Sequence, residues 1–232
     1  MKFIVGNWKM NGTPESRDAL LKSIRNVITD NKIVVCLPFI LICGNDFGVT
    51  LGAQDISEHD NGAYTGDISG QMLNDANVKY VIVGHSERRT YHHETNEIVR
   101  AKATAAIKNK IVPIICVGES TEEKNSGRTM TAVKKMLLES IPSIGEFIVA
   151  YEPYWAIGSG KTPSGSEIAD VFETIRKALS NAGRDDVALL YGGSVNATNA
   201  KEIVNIKNVD GLLVGGASLK SDTFLPIIKS ID

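Results

Sequence analysis

The stretch FIVGNWKMNG at residues 3–12 opens on an apolar, β-rich run and passes straight into Asn7, Trp8 and Lys9. An open, doubly wound sheet would normally turn at this point through G-x-G-x-x-G, and no such turn is present. Seven comparable runs follow: IVVCL at 33–37, VTLGA at 49–53, YVIVG at 80–84, IVPIICV at 111–117, FIVAY at 147–151, VALLY at 187–191 and GLLVG at 211–215. Each alternates little, which is the habit of parallel strands buried on both faces.

Helical patterns lie between most of these runs. After Ser164, the residues Ile168, Val171, Phe172, Ile175 and Leu179 fall at steps of three and four and make one apolar stripe. Ser16 to Asp30 reads the same way through Leu20, Ile24, Val27 and Ile28, and Ile40 to Phe47 predicts a short helix. About eight strand–helix units without a Pro/Gly/Ser linker predict a closed (β/α)8 barrel spanning residues 1–232 as a single domain. The doubly wound sheet is the alternative. Polar residues gather just past strand ends, where barrel enzymes carry their chemistry: Asn7, Lys9, His85, Glu87, Glu119, Glu152 and Ser194.

Composition narrows the function classes. Twenty-five basic residues against 27 acidic ones give a formal charge of −2, with no basic footprint for nucleic acid or an anionic membrane. No apolar run is long enough to span a bilayer, and the start MKFIVGNWKMNG has no secretory pattern. Cys36, Cys43 and Cys116 are three scattered cysteines, a pattern that predicts a reducing, cytoplasmic setting over a disulfide framework. The sequons at Asn11 and Asn196 have no meaning in that compartment.

Glu152 ends an apolar strand and precedes PYWAIGSGKTPSG. A carboxylate there is either a general base screened by apolar walls or a strand cap paired with a cation. Pro153 and Pro163 stiffen the ends of this segment, while Gly158, Ser159 and Gly160 lend it mobile backbone N–H groups, a lid-like design. GSGKT resembles part of a phosphate loop, but the first glycine of that motif would fall on Trp155. His85 sits where a helical turn could open, so it is either a neutral donor to a carbonyl or a structural histidine. His92 and His93 are adjacent and cannot share a helix face, which argues against a metal site. Lys9 and Asn7 put a cation and an amide at one strand mouth. YGGS at 191–194 and VGGAS at 214–218 follow the seventh and eighth strands, where barrels commonly hold phosphate.

Taken together, FIVGNWKMNG, NGAYTGDIS, VIVGHSERR, CVGE, AYEPYWAIGSGKT, YGGSV and GLLVGGASL resemble the triosephosphate isomerase family, in the family's order and from the first strand to the last helix. That family is itself a standard illustration of the TIM barrel, of tuned acid–base catalysis and of lid closure, so these ideas come with the resemblance. The resemblance implies an aldose–ketose isomerase of glycolysis and gluconeogenesis that uses no metal or organic cofactor. It makes Glu152 the base, His85 a neutral electrophile, and Lys9 and Asn7 the stabilisers of the oxyanion. Phosphate is expected on the backbone of Gly158, Ser194, Gly215 and Gly216, with Glu87, Ser86 and Cys116 in support. The lid is expected over Pro153, Tyr154, Trp155, Ala156, Ile157, Gly158, Ser159, Gly160, Lys161 and Thr162. The strip at 61–69 resembles a loop that enters a second copy and places Thr65 beside that copy's Asn7 and Lys9, which implies a homodimer. Departures from the family's pattern are Tyr154, where a small apolar residue is usual, Ser159 for threonine, Pro163 for alanine, and ISGQML for ISPGML.

Overall fold

The computed structural model describes residues 1–42, 47–157 and 162–231. Eight parallel strands close on themselves in chain order: β1 (Phe3–Asn7), β2 (Lys32–Leu37), β3 (Thr50–Ala53), β4 (Tyr80–Val83), β5 (Val112–Val117), β6 (Ile148–Tyr151), β7 (Ala188–Tyr191) and β8 (Gly211–Val214). The ring is sealed where Phe3 to Gly6 of β1 lie in register with Gly211 to Val214 of β8. The open-sheet alternative is thereby excluded. All eight expected runs are strands, with boundary differences of one residue. Val49, Ile111, Phe147 and Val187 lie just before their strands, Gly84 and Gly215 just after, and Lys32 joins β2.

Side chains alternate between two apolar compartments, as the two-residue period of a strand requires. Val5, Val34, Cys36, Ile82, Ile114, Cys116, Ile148, Ala150, Leu190 and Leu213 fill the barrel interior. Their neighbours Ile4, Val35, Val81, Ile115, Val149, Leu189 and Leu212 face outward into the layer packed by helices. This parity decides what reaches the mouth of the barrel. Asn7 lies two residues beyond Val5, Glu152 two beyond Ala150, Gly192 two beyond Leu190 and Gly215 two beyond Leu213, so all four continue the inward row.

The outer layer comprises α1 (Pro14–Arg25), α2 (Gly70–Asp75), α3 (Ser86–Tyr91), α4 (Asn96–Lys108), α5 (Thr121–Asn125), α6 (Thr129–Ser140), α7 (Gly165–Asn181), α8 (Ala200–Val204) and α9 (Ser221–Ile231). Local signals start them. Thr13 forms a capping box with Ser16 and is followed by Pro14, and Ser164 forms one with Glu167 at the head of α7. The α7 stripe is as expected, with Ile168, Val171, Phe172, Ile175 and Leu179 all buried.

Two helix expectations are corrected. The first helix runs over Pro14–Arg25 and not to Asp30. Its chain turns at Asn26 to re-enter the barrel at Lys32, so Val27 packs only partly and Ile28 is 98% exposed, while Leu21 joins Leu20 and Ile24 in the core. Over 40–47, the described residues show a 3-10 turn at Phe39–Leu41 and no α-helix, while Cys43 to Asp46 fall outside the described residues. The ISGQML departure leaves its element intact. Ser69 caps α2 by accepting the Met72 N–H, and Gly70 fits because a Cβ there would collide with the Asn109 side chain. No described helix is long and apolar enough to cross a membrane.

Candidate active site

At the carboxyl ends of the strands a cavity of about 300 Å³ is bounded by Asn7, Lys9, His85, Glu152, the turn Gly192–Asn196, and Gly215 with Gly216. Ile157 and Leu213 give it apolar walls. Barrel enzymes hold their chemistry at this end because eight loops converge there.

Glu152 is 1% exposed, and its backbone is fixed by its N–H donating to the Val117 carbonyl at 2.8 Å. Its carboxylate spans two donors: His85 Nε2 lies 2.8 Å from Oε1, and the Ser86 N–H donates to Oε2 at 3.0 Å. Burial would raise the Glu152 pKa, but His85, the Ser86 N–H and Lys9 outweigh it and hold the group below its ordinary value. The two neighbouring turns leave room for this residue, one for its side chain and one for its main chain. A Cβ at Gly192 would stand 3.0 Å from Glu152 Cγ, and one at Gly118 would collide with the Glu152 carbonyl oxygen. Gly192 therefore makes space for the stem of this side chain.

His85 caps α3, its Nδ1 accepting the Glu87 N–H at 3.2 Å. An acceptor at Nδ1 fixes the tautomer with the proton on Nε2. Burial lowers the His85 pKa, yet the carboxylates of Glu152 and Glu87 raise it above ordinary while Glu152 stays against Nε2. Lys9 adopts a left-handed backbone, with φ of 53°, a conformation uncommon outside glycine. The Asn7 side chain holds it there by accepting the Lys9 N–H at 3.0 Å. Its ammonium pairs with Glu87 at 2.6 Å, and a Cβ at Gly215 would lie 3.6 Å from its Cε, so the lysine stem crosses from the first strand end to the last.

The remaining site residues are distributed as follows. Ser194 lines the cavity, and its hydroxyl donates to the Ala156 carbonyl at 3.4 Å, linking the lid segment to the turn after β7. Gly215 and Gly216 edge the cavity where Gly216 opens a 3-10 turn. Cys116 lies in the barrel interior, and burial with the nearby Glu152 charge pushes its thiol well up. Of the lid, Pro153 and Ala156 are buried, Tyr154, Trp155 and Ile157 half-buried, Thr162 exposed and Pro163 buried. Gly158, Ser159, Gly160 and Lys161 lie outside the described residues, so the phosphate role of Gly158 does too. Thr65 is exposed on the third loop and does not line this chain's cavity. Among the described residues no group of His, Cys, Asp and Glu is arranged to hold a metal ion, His92 and His93 included.

One cluster was not legible in the sequence. Glu119, fully buried, accepts from Trp155 Nε1 at 2.7 Å and from the Tyr151 hydroxyl at 3.1 Å through the same oxygen. Its second oxygen and the Tyr191 hydroxyl have no hydrogen-bond partner among the described residues. Burial raises the Glu119 pKa against these donors. Its position past a strand end marked it as polar, but nothing in the sequence joins it to Trp155. A second network, Arg88 and Lys102 with Asp55 and Glu94, ties α3 and α4 to the end of β3.

This arrangement can take a proton from carbon, polarise an adjacent oxygen and seat an anion, all in one small cavity. The comparisons agree with that chemistry. The family profile described as triosephosphate isomerase matches residues 2–231. Proteins named triosephosphate isomerase from Albidiferax ferrireducens, Delftia acidovorans and Alkaliphilus oremlandii are 46%, 44% and 44% identical to it. These matches cover 98–99% of this chain and 98% of each relative. With the barrel, the cavity and matches of this extent, the chain belongs to the triosephosphate isomerase family.

Proposed function

We propose that Glu152 is the base with which this isomerase interconverts dihydroxyacetone phosphate and D-glyceraldehyde 3-phosphate, a step of glycolysis and gluconeogenesis. The observation that carries the reading is the Glu152 carboxylate, 1% exposed and 2.8 Å from His85 Nε2, inside a cavity that also holds Lys9 and the two glycine turns. Glu152 removes a proton alpha to the substrate carbonyl and returns it to the neighbouring carbon, through an enediolate. To do so it leaves His85 and Ser86. That departure takes the larger raising influence away from His85 and leaves only that of Glu87, against which burial, Lys9 and the N-terminus of α3 favour the neutral imidazole. A neutral Nε2–H can donate to either substrate oxygen and shuttle protons between them.

Lys9 and the Asn7 amide stabilise the developing negative charge, and such donors are commonly worth ~3–4 kcal/mol each. The backbone of Ser194, Gly215 and Gly216 receives the phosphate, with Gly158 joining from the lid. Closure of residues 153–162 excludes water, in which an enediolate phosphate would eliminate its phosphate group. Glu87 and Ser86 support the histidine and the base, and Cys116 packs behind them.

The same reading makes the chain a single barrel domain, cytoplasmic, and a homodimer. Support for the dimer comes from a cavity of about 620 Å³ beside Lys9, bordered by Met10, Phe39, Tyr91 and His92. Met10, Ile40 and Tyr91 are 97%, 87% and 75% exposed, an apolar surface of the kind that partners cover. The third loop holds a fixed shape suited to insertion: the His59 and Tyr64 rings stack 3.8 Å apart, and Ser57 donates to Asp67 at 2.6 Å.

A coupled assay of D-glyceraldehyde 3-phosphate turnover tests the assignment. Glu152→Gln and His85→Gln should each lower kcat by at least ~10²-fold, the scale of general acid–base catalysis. Parental rates in both variants would sink it.

A further inference from the structure

Tyr154 stands two residues beyond the base, where the family resemblance leads one to expect a small apolar side chain. Its ring lies over the turn that follows β5. A Cβ at Gly118 would stand 2.7 Å from Tyr154 Cε1, and the same Cβ would strike the Glu152 carbonyl oxygen. Gly118 is thus one floor that carries both the main chain of the base and the tyrosine ring.

Hydrogen bonds fix both ends of this unit. The Glu152 N–H donates to the Val117 carbonyl at 2.8 Å, and the Tyr154 N–H donates to the Glu119 carbonyl at 3.2 Å. Residues 117 and 119 therefore hold residues 152 and 154 in parallel, with Gly118 pressed between them. The ring then runs outward until its hydroxyl donates to Met136 Sδ at 3.4 Å on α6. Hydroxyl-to-sulfur bonds are weak, so the packing of the ring supplies most of this attachment.

We infer that Tyr154 is a positioning residue for the base: its ring, wedged on Gly118 and reaching α6, fixes the backbone from which the Glu152 carboxylate swings towards substrate. The inference rests on Glu152 being that base. The carboxylate must exchange His85 and Ser86 for a substrate carbon, so for a side chain of fixed length its reach depends on where its Cα sits. An error of a fraction of an ångström there is carried to the reacting oxygen undiminished. Tyr154 is not among the residues that line the cavity with the glycine turns after β7 and β8.

The test compares the parent enzyme with Tyr154→Ala and Tyr154→Phe for kcat, KM, and inhibition by inorganic phosphate and by 2-phosphoglycolate. The second inhibitor carries a carboxylate where the enediolate forms and so senses the position of the base. Tyr154→Ala should lose about 10-fold in kcat and about 10-fold in 2-phosphoglycolate affinity, with KM and phosphate inhibition within about 2-fold of parent. Tyr154→Phe should restore both lost quantities to within about 2-fold. A Tyr154→Ala enzyme with parental kcat overturns the inference. So does a parallel loss of phosphate and 2-phosphoglycolate affinity, which is the mark of general loosening. A Tyr154→Phe enzyme as impaired as Tyr154→Ala overturns it too, by assigning the effect to the hydroxyl. A parent without isomerase turnover would overturn the isomerase reading and this inference with it, whereas an active parent beside an unimpaired Tyr154→Ala enzyme overturns this inference alone.

Discussion

Glu152→Asp isolates the reach of the proposed base from its chemistry. The substitution keeps a carboxylate of nearly the same intrinsic basicity and withdraws it by about one carbon–carbon bond, ~1.5 Å. The surroundings cannot follow it. The Glu152 backbone is tied to the Val117 carbonyl at 2.8 Å, the Gly192 N–H is tied to the Tyr151 carbonyl at 2.8 Å, and Gly118 abuts the Glu152 carbonyl. A carboxylate that now bridges His85 Nε2 and the Ser86 N–H would also fall short of both in the resting enzyme. A misplacement of ~1 Å costs on the order of 10²-fold in rate, so a retraction of this size should lower kcat by ~10²–10³-fold, or about 2.7–4 kcal/mol of barrier. KM should stay within about 3-fold, since the glycine turns and Ser194 are untouched. The coupled assay, run in both directions, gives the two constants. Substrate deuterated at the abstracted position should show a larger isotope effect in the variant than in the parent, because proton transfer becomes rate-limiting. A variant with kcat within 5-fold of parent and a raised KM would refute the reasoning, since the carboxylate would then be a substrate-binding group.

Three other predictions concern the lid base, a cap and the third loop. Glu119 has a raised pKa, so it favours the fold below its unfolded value of 4.5 and disfavours it as pH rises through the folded value. Glu119→Gln should therefore be as stable as parent or more so at pH 7, whereas Glu119→Leu, which strands the Tyr151 hydroxyl and Trp155 N–H, should lose about 2–4 kcal/mol in urea titrations. Glu167 is held down to about 2 by its hydrogen bond to Lys124 and by those from Ser164. A depressed acid stabilises above 4.5 and loses that contribution as pH falls through about 2, so Glu167→Gln should cost ~0.5–1 kcal/mol at pH 6 and progressively less as pH falls to 2 and below, a small figure because the side chain is 46% exposed. His59→Ala removes the stack on Tyr64, worth ~0.5–1.5 kcal/mol in pairs of this kind, and should weaken the proposed dimer ~2–10-fold by sedimentation at low concentration without changing kcat at saturating protein concentration.

The sequence by itself determined the barrel and the residues at its mouth. Eight apolar runs with little alternation are what a parallel strand needs when one face packs inside the barrel and the other under helices, and those runs are strands within a residue or so. The polar residues past the strand ends were legible for the same reason, since a group that stands out against a buried run has either a partner or a task. Local capping chemistry starts α1 at Thr13 and α7 at Ser164, and the sequence marked only the second, since the α1 pattern was read from Ser16. It did not mark where α1 stops, because the path back to β2 decides that, and Ile28 was left in solvent although its spacing fitted the stripe.

Only the tertiary structure decided which groups meet. Ser86 and Glu152 are 66 residues apart in sequence and hydrogen-bonded in the fold, and Arg89 reaches the Cys116 carbonyl across 27 residues. The sharing of one Glu119 oxygen by Tyr151 and Trp155, the Gly118 floor beneath Tyr154, and the space that Gly192 leaves for Glu152 likewise carry no local signature. The physical reason is closure. Each strand fixes the direction of its own side chains by parity, but the distance between side chains of different strands exists only once β8 pairs with β1 and the eight strand ends are drawn into a single ring.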